Sequence, residues 1–336
     1  MPQRLLSASL DLNRRKVLVH SAATAAMVAS AAVPRWARAQ SGTMRLVVGY
    51  PPGGGTDRAA RLVADRLQQL LKRTVIVENR VGAGGRLAAQ QLVNAPPEQT
   101  VLLLANPAVM SVAPVIYKDL KYDAQRDFVP VAAVTDYDFG VAVGSALPVK
   151  EVTHMLAWIR ANQNKANAGV PGTGSLPHFF ALMLSYMAQV NIEVVGYRGS
   201  APLINDLIGG QIPLAFDTLD SLLPQHEGGK LRILATSGAR RSPFSPAVPT
   251  FREQGLPLSA TGWNTFFAPS TMPTATVDLL SKTVFQIMSE PETRSRFTAA
   301  KMVPVAMTQA QTAAAFKAFN TQWSPVIRRS GFKPES

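Results

Sequence analysis

An α/β fold built on a mostly parallel sheet, in two lobes, is what this chain of 336 residues predicts. Three observations predict it. Short runs rich in Val, Ile and Leu alternate with stretches carrying apolar residues at helical spacing, the order that covers a parallel sheet with helices on both faces. Two glycine-rich turns, one at residues 51–55 and one at 172–175, each follow a strand and open a helix. They belong to separate α/β units, and the length is enough for two cores.

The first unit begins with an apolar strand at 45–50, ending in Tyr50. Pro51 and Pro52 stop it, since proline cannot donate to a ladder and fixes its own φ. Gly53, Gly54 and Gly55 allow close approach to the main chain, and a helix opens near Thr56 and Asp57. Its unpaired N–H groups and the positive end of its dipole make an anion site in waiting. A tight strand-to-helix turn that binds nothing is the alternative, open at this point. Gly-Lys-Ser/Thr and G-x-G-x-x-G are both absent, so the turn is no nucleotide loop of the familiar kinds.

Residues 58–71 place Ala59, Leu62, Val63, Leu67, Leu70 and Leu71 on one helical face. A strand at 74–78, a second glycine loop at 79–85 and a helix at 86–94 follow. The loop is read as structural, because no acidic residue is placed for a ribose. The apolar strand 101–104 ends at Ala105, Asn106 and Pro107. Ligands bind beyond the carboxyl ends of such strands, so the first and third strand ends share a crevice.

Residues 128–134 and 139–143 read as two further strands, and 145–148 as the crossing into the second lobe. A helix at 152–162 carries His154 on its surface. Then a strand ends in Gly172, Thr173, Gly174 and Ser175, before a helix at 177–187. The physics matches the first loop: backbone donors and small hydroxyls at a helix start. His178, in the first turn, is equally a cap or a ligand contact. A strand at 192–197 ends in Tyr197, and a helix at 202–208 is stopped by Gly209 and Gly210. The strand 212–216 runs into Asp217, which either caps a helix at 219–223 or meets a ligand donor. After a strand at 232–235, the loop 236–249 leads back towards the first lobe. There 261–268 forms a strand, and 277–289 and 308–324 closing helices. Two lobes with facing helix N-termini can clamp an anion by hinge closure.

Composition narrows the classes. Without cysteine there is no disulfide, thiol nucleophile or thiolate metal site. His20, His154, His178 and His226 fall in no metal-ligand spacing, and no cofactor is implied. Arg4, Arg14, Arg15, Lys16, Arg35 and Arg38 against Asp11 put +5 of the net +13 in the first 39 residues. The remaining +8 is scattered, with no dense basic run interleaved with aromatics. That favours small anions over nucleic acid. Arg14-Arg15-Lys16, the alanine-rich run 17–33 and Ala37-Arg38-Ala39 before Gln40 have the order of a secretory signal, 1–39, twin-arginine-like though open to the general route. The run is too short and too polar to span a membrane comfortably, and the mature protein is expected in a periplasm.

Laid out this way, the chain resembles the tripartite tricarboxylate transporter receptors, the TctC or Bug family of periplasmic solute-binding proteins. The matching residues begin with Tyr50-Pro51-Pro52-Gly53-Gly54-Gly55-Thr56-Asp57. Val77-Glu78-Asn79-Arg80, Gly82-Ala83-Gly84-Gly85, Tyr122-Asp123 and Asp127-Phe128 follow. In the second half they are Gly172-Thr173-Gly174-Ser175-Leu176-Pro177-His178, Tyr197-Arg198-Gly199, Phe216-Asp217, Arg241-Ser242-Pro243 and Val248-Pro249-Thr250. The chain departs from the family pattern at Val81 and Gly196, where proline is usual, at Arg86, where asparagine is common, and at Asn106, usually smaller. The turn at 96–99 also lacks the usual Asp-Gly.

The resemblance implies a periplasmic-binding-protein-like fold of type II, its chain crossing twice between lobes. Lobe 1 is then 40–144 with 262–336, and lobe 2 is 145–261. It implies a small organic carboxylate held by main-chain N–H groups and bridging waters, and a monomer working with a tripartite-type permease. A sensor presenting its closed form to a membrane signalling partner is the alternative. The implied ligand contacts are Tyr50, Pro52, Gly53, Gly54, Thr56, Asp57, Asn106 and Pro107 from lobe 1. From lobe 2 they are Gly172, Thr173, Gly174, Ser175 and His178, with Tyr197 and Asp217 on the distal side. An exported hydrolase using Ser175, His178 and Asp217 is disfavoured. A Ser and a His three residues apart at a helix start lack triad geometry, and there is no G-x-S-x-G elbow.

Overall fold

A computed structural model describes residues 42–330 and Phe332. The signal segment expected at 1–39 lies outside the described residues. Strand β1 (Met44–Val48) leads to helix α1 (Gly55–Leu71), then β2 (Val75–Asn79), α2 (Arg86–Leu92) and β3 (Val101–Ala105). In α1 the apolar spacing is expressed directly. Ala59, Ala60, Val63, Ala64 and Leu67 are buried, and the helix ends at Lys72 in a left-handed conformation. β1 pairs in parallel with both β2 and β3, as the β-α-β order requires.

A short helix, α3 (Ala113–Ile116), precedes β4 (Phe128–Gly144). Two strands are expected here; the structure has one of 17 residues. The polar run Thr135, Asp136, Tyr137 and Asp138 reads as a break in sequence, yet it is fully laddered against the strand β9 (Thr261–Pro269). β4 changes partners at its centre. Up to Asp138 it pairs with β9; from Phe139 it pairs with β7 (Leu214–Thr218) and β8 (Leu231–Thr236), all antiparallel. The change of sheet therefore falls inside this strand, before the 145–148 segment where a crossing is expected.

Beyond β4 come α4 (Val152–Ala161), β5 (Asn167–Val170), α5 (Leu176–Ala188) and β6 (Glu193–Gly196). Helix α6 (Ser200–Ile208) precedes β7, and α7 (Leu219–Glu227) separates β7 from β8. The chain returns through β9, α8 (Thr274–Ser289), α9 (Pro291–Ala299), β10 (Val303–Pro304) and α10 (Gln309–Arg329). The resulting sheet runs β2-β1-β3-β9-β4-β7-β5-β6, with β8 and β10 also on β4. Each half is parallel at its outside and antiparallel at its centre.

Four apolar clusters cover the two halves. One packs α1, α8 and Phe297 on the first half, and another packs α2 and Phe316 on its other face. In the second half α4 and α5 cover one face, α6 and α7 the other. Helix α10 belongs to both. Phe316 joins the first half, whereas Trp323 and Ile327 join the core around β5, β7 and α5. Residues 308–324 are read above as closing lobe 1; α10 instead packs on both halves.

Candidate functional site

α1 begins without a capping side chain. Gly54 occupies its N-cap position in an extended conformation and offers no side-chain oxygen to the first turn. No acceptor among the described residues takes the N–H of Gly54, Gly55, Thr56 or Asp57. These donors sit at the positive helix end, just beyond the carboxyl end of β1.

The neighbouring side chains hold this turn in shape. The Asp57 carboxylate accepts from the Gly53 N–H at 2.8 Å, from Arg61 twice at 3.0 Å and from Asn79 Nδ2 at 2.8 Å. Burial alone would raise its pKa, but these bonds from Arg61, Gly53 and Asn79 outweigh it and hold the carboxyl below the usual range. Thr56 donates its hydroxyl to Asn264 Oδ1 at 2.9 Å, and Asn264 Nδ2 donates to Thr135 at 2.9 Å, tying α1 to β9 and β4. The Tyr50 hydroxyl lies 3.0 Å from Asn106 Oδ1 and 3.2 Å from the Gly84 carbonyl. Burial pushes that phenol up to about 12, so it stays neutral. Asn106 Oδ1 also accepts from the Ala108 N–H, and Pro107 is buried at the turn that follows. Pro52 and Gly53 are exposed at the tip of the loop.

The loop of residues 79–85 enters the site as well. A Cβ at Gly49 would lie 2.6 Å from the Gly85 Cα, so the two loops touch backbone to backbone. Tyr50 packs over Gly85. The loop that the sequence reads as structural thus abuts the end of β1 and Tyr50.

The second loop is built differently. Ser175 caps α5 by accepting from the His178 N–H. His178 Nδ1 accepts from the Gly174 N–H at 3.0 Å, which places the ring proton on Nε2. Burial pushes this imidazole down to about 4, so it is neutral. Its ring packs against Phe179 and Phe332. Of the two roles open to His178, the structure displays the cap. Gly174 has φ +78°, a conformation in which a side chain is strained. The N–H groups of Gly172 and Thr173 have no acceptor among the described residues.

Tyr197 lies against Gly169 and donates its hydroxyl to Asp206 at 2.8 Å. Asp217 is fully buried at the end of β7; Oδ1 accepts from the Thr218 N–H at 2.7 Å, and Oδ2 has no partner among the described residues. Burial pushes it to about 7. The side chains of Ser175, His178 and Asp217 are thus each engaged with local backbone N–H groups rather than with one another's side chains.

The loop of residues 79–85 approaches the second loop. A Cβ at Gly84 would stand 3.9 Å from the Thr173 carbonyl, and one at Gly174 would stand 3.2 Å from Ile116 Cδ1. On the other side, Asp220 from the start of α7 reaches α1. Its Oδ2 would be 2.9 Å from a Cβ on Gly55, and it pairs with Arg58. Sequence reasoning missed Arg58, Asp220, Asn264 and Thr135. An acid in the first turn of α7 is an ordinary capping signal, and only the fold shows that it crosses to α1.

Comparison with known proteins bears on the fold. Residues 59–332 match the family described as tripartite tricarboxylate transporter family receptor. A UPF0065 protein of Bordetella bronchiseptica is 31% identical over 325 residues, 95% of this chain and 94% of its own. An R. palustris protein solved with adipate shares 28% identity at a TM-score of 0.83, covering 87% of this chain and 98% of its own. MatC from Rhodopseudomonas palustris with bound malate shares 26% identity at a TM-score of 0.79, covering 85% and 98%. The two-lobed fold is therefore that of periplasmic solute-binding receptors.

Proposed function

From the premise that this chain belongs to the tripartite tricarboxylate transporter receptor family, we propose that it captures a small organic carboxylate outside the cytoplasm and delivers it to a tripartite-type membrane permease. The family is one of receptors and not of enzymes. The observation that carries the reading is the row of unclaimed amides at Gly54, Gly55 and Thr56, together with the unclaimed amides at Gly172 and Thr173 in the second loop. Backbone N–H groups bind a carboxylate without the desolvation of a charged side chain, and each such bond strengthens as water leaves. The adipate and malate bound by two structural neighbours support a carboxylate here.

In this reading the first lobe runs to Asp138 in β4 and resumes with β9, the second takes the stretch between, and the hinge lies in β4 and ahead of β9. The segment 1–39 directs export and is cleaved near Ala39–Gln40. Asp57, His178 and Tyr197 act by shaping the pocket. Gly54, Thr56, Gly172, Thr173 and Ser175 meet the ligand directly or through water, and Asn106 and Asp217 complete the walls.

Thermal unfolding of the protein from Gln40 onward, against a panel of small carboxylates, tests this. A ligand at one hundred times its Kd stabilises by about 2.7 kcal/mol. A shift with one acid and none with matched amines or sugars is expected. No shift with any acid, for protein shown ligand-free by native mass spectrometry, overturns the carboxylate reading.

A further inference from the structure

Arg86 opens α2 directly after the loop 79–85. Its guanidinium carbon lies 3.6 Å from the centre of the Tyr117 ring, so a planar cation is laid flat on an aromatic face. Such stacking fixes the direction of the N–H fork before any ligand arrives. No carboxylate among the described residues forms an ion pair with it.

The position is the seam between the loop 79–85 and the second loop. A Cβ on Gly84 would stand 3.7 Å from Arg86 Nη1 and 3.9 Å from the Thr173 carbonyl, so Gly84 is sandwiched between the guanidinium and the second loop. Tyr117, the ring beneath the guanidinium, follows Ile116, which touches Gly174. The positive charge also reaches inward: it eases the ionisation of both Tyr50 and Tyr122. A half-buried arginine, preorganised beside the second loop and without a counter-charge among the described residues, is a binding group for an anion that the protein does not itself supply.

We propose that Arg86 is a specificity-determining residue that holds a second anionic group of the ligand. One carboxylate sits on the amides at the start of α1, and the other takes the fork of Arg86. This rests on the carboxylate-receptor reading above and narrows it to ligands carrying two negative groups.

The test is calorimetric titration of the mature protein and of Arg86→Gln with succinate, glutarate and adipate, each beside its monocarboxylate of equal chain length. Arg86→Lys, which keeps the charge and loses the planar fork, is the third protein, and thermal unfolding without ligand verifies that all three fold alike. For the best diacid, Arg86→Gln is expected to weaken binding by about ten- to one-hundredfold, as for loss of a charge-assisted hydrogen bond, with Arg86→Lys in between. Monoacid affinity should change by less than about twofold on the same scale. Equal loss for diacids and monoacids, confined to the association rate, would make Arg86 a steering charge and overturn the proposal. Unchanged diacid affinity in Arg86→Gln overturns it too. Failure of every acid to bind even the wild-type protein would instead remove the carboxylate-receptor reading itself.

Discussion

Arg58 of α1 and Asp220 of α7 make an ion pair between elements that lie 162 residues apart in the chain. The Asp220 side chain is 7% exposed and that of Arg58 is 36% exposed. Burial raises the Asp220 pKa even though Arg58 pulls it down. The carboxylate therefore depends on its partner far more than the arginine does. Breaking a fully buried pair costs about 3–5 kcal/mol, whereas an exposed pair contributes under about 1 kcal/mol. With one partner buried and one half wet, Arg58→Ala should destabilise by about 1.5–3 kcal/mol, because it strands the carboxylate against the Gly55 backbone. Asp220→Asn removes the charge that needed neutralising and should lose less than about 1 kcal/mol. The double variant should recover most of what Arg58→Ala loses. Urea unfolding midpoints of the four proteins close a double-mutant cycle, and a coupling of at least about 1 kcal/mol is expected. Lys301–Glu227, with side chains 40% and 52% exposed, is the control: Lys301→Ala should stay within about 0.5 kcal/mol. A double variant as unstable as Arg58→Ala, or a coupling under about 0.3 kcal/mol, refutes the argument that α7 is held to α1 by this pair.

Other consequences follow from the same geometry. Gly54 has φ −70°, which proline tolerates, so Gly54→Pro deletes one N–H without forcing φ; carboxylate affinity should fall about tenfold or more in calorimetry while circular dichroism is unchanged. A Cβ on Gly196 would lie 2.1 Å from Thr173 Oγ1, so Gly196→Ala should displace the second loop and weaken binding, with Thr173→Gly restoring part of it. Asp217 titrates at about 7 in the fold, against about 3.9 unfolded, so its contribution to stability is full below pH 4 and is lost as pH rises through 7. Urea midpoints between about pH 4.5 and 7.5 should therefore decline less steeply in Asp217→Asn than in the wild-type protein.

Most elements were legible because their signals are local. The strand-turn-helix at residues 44–71 declares itself through two prolines, three glycines and a helical apolar face, and the same holds for β5 and α5. What the sequence hid depends on contacts made across the sheet. The polar centre of β4 looked like a break because its ladder partner, β9, lies more than a hundred residues onward. The last turns of α10 looked like part of one lobe because nothing in Trp323 or Ile327 reveals which core receives them.

Asp57 carries the sharper lesson. An acid beside an anion site looks self-defeating when charge is counted along the sequence. In three dimensions its four lone-pair directions are taken by Gly53, Arg61 and Asn79. Its charge is spent on holding the loop, and the amides beside it stay free. The same logic separates the second loop's histidine from its serine and glycines: His178 consumes one N–H to fix Gly174, and the neighbouring N–H groups of Gly172 and Thr173 are left for a ligand. In both loops one side chain sacrifices its own hydrogen-bonding capacity to the turn. Affinity should therefore respond to Asp57→Asn and His178→Ala through loop order, with the loss appearing in hydrogen-exchange protection of α1 and α5 before any ligand is added. Unaltered protection in both variants, alongside weakened binding, would return these side chains to the ligand.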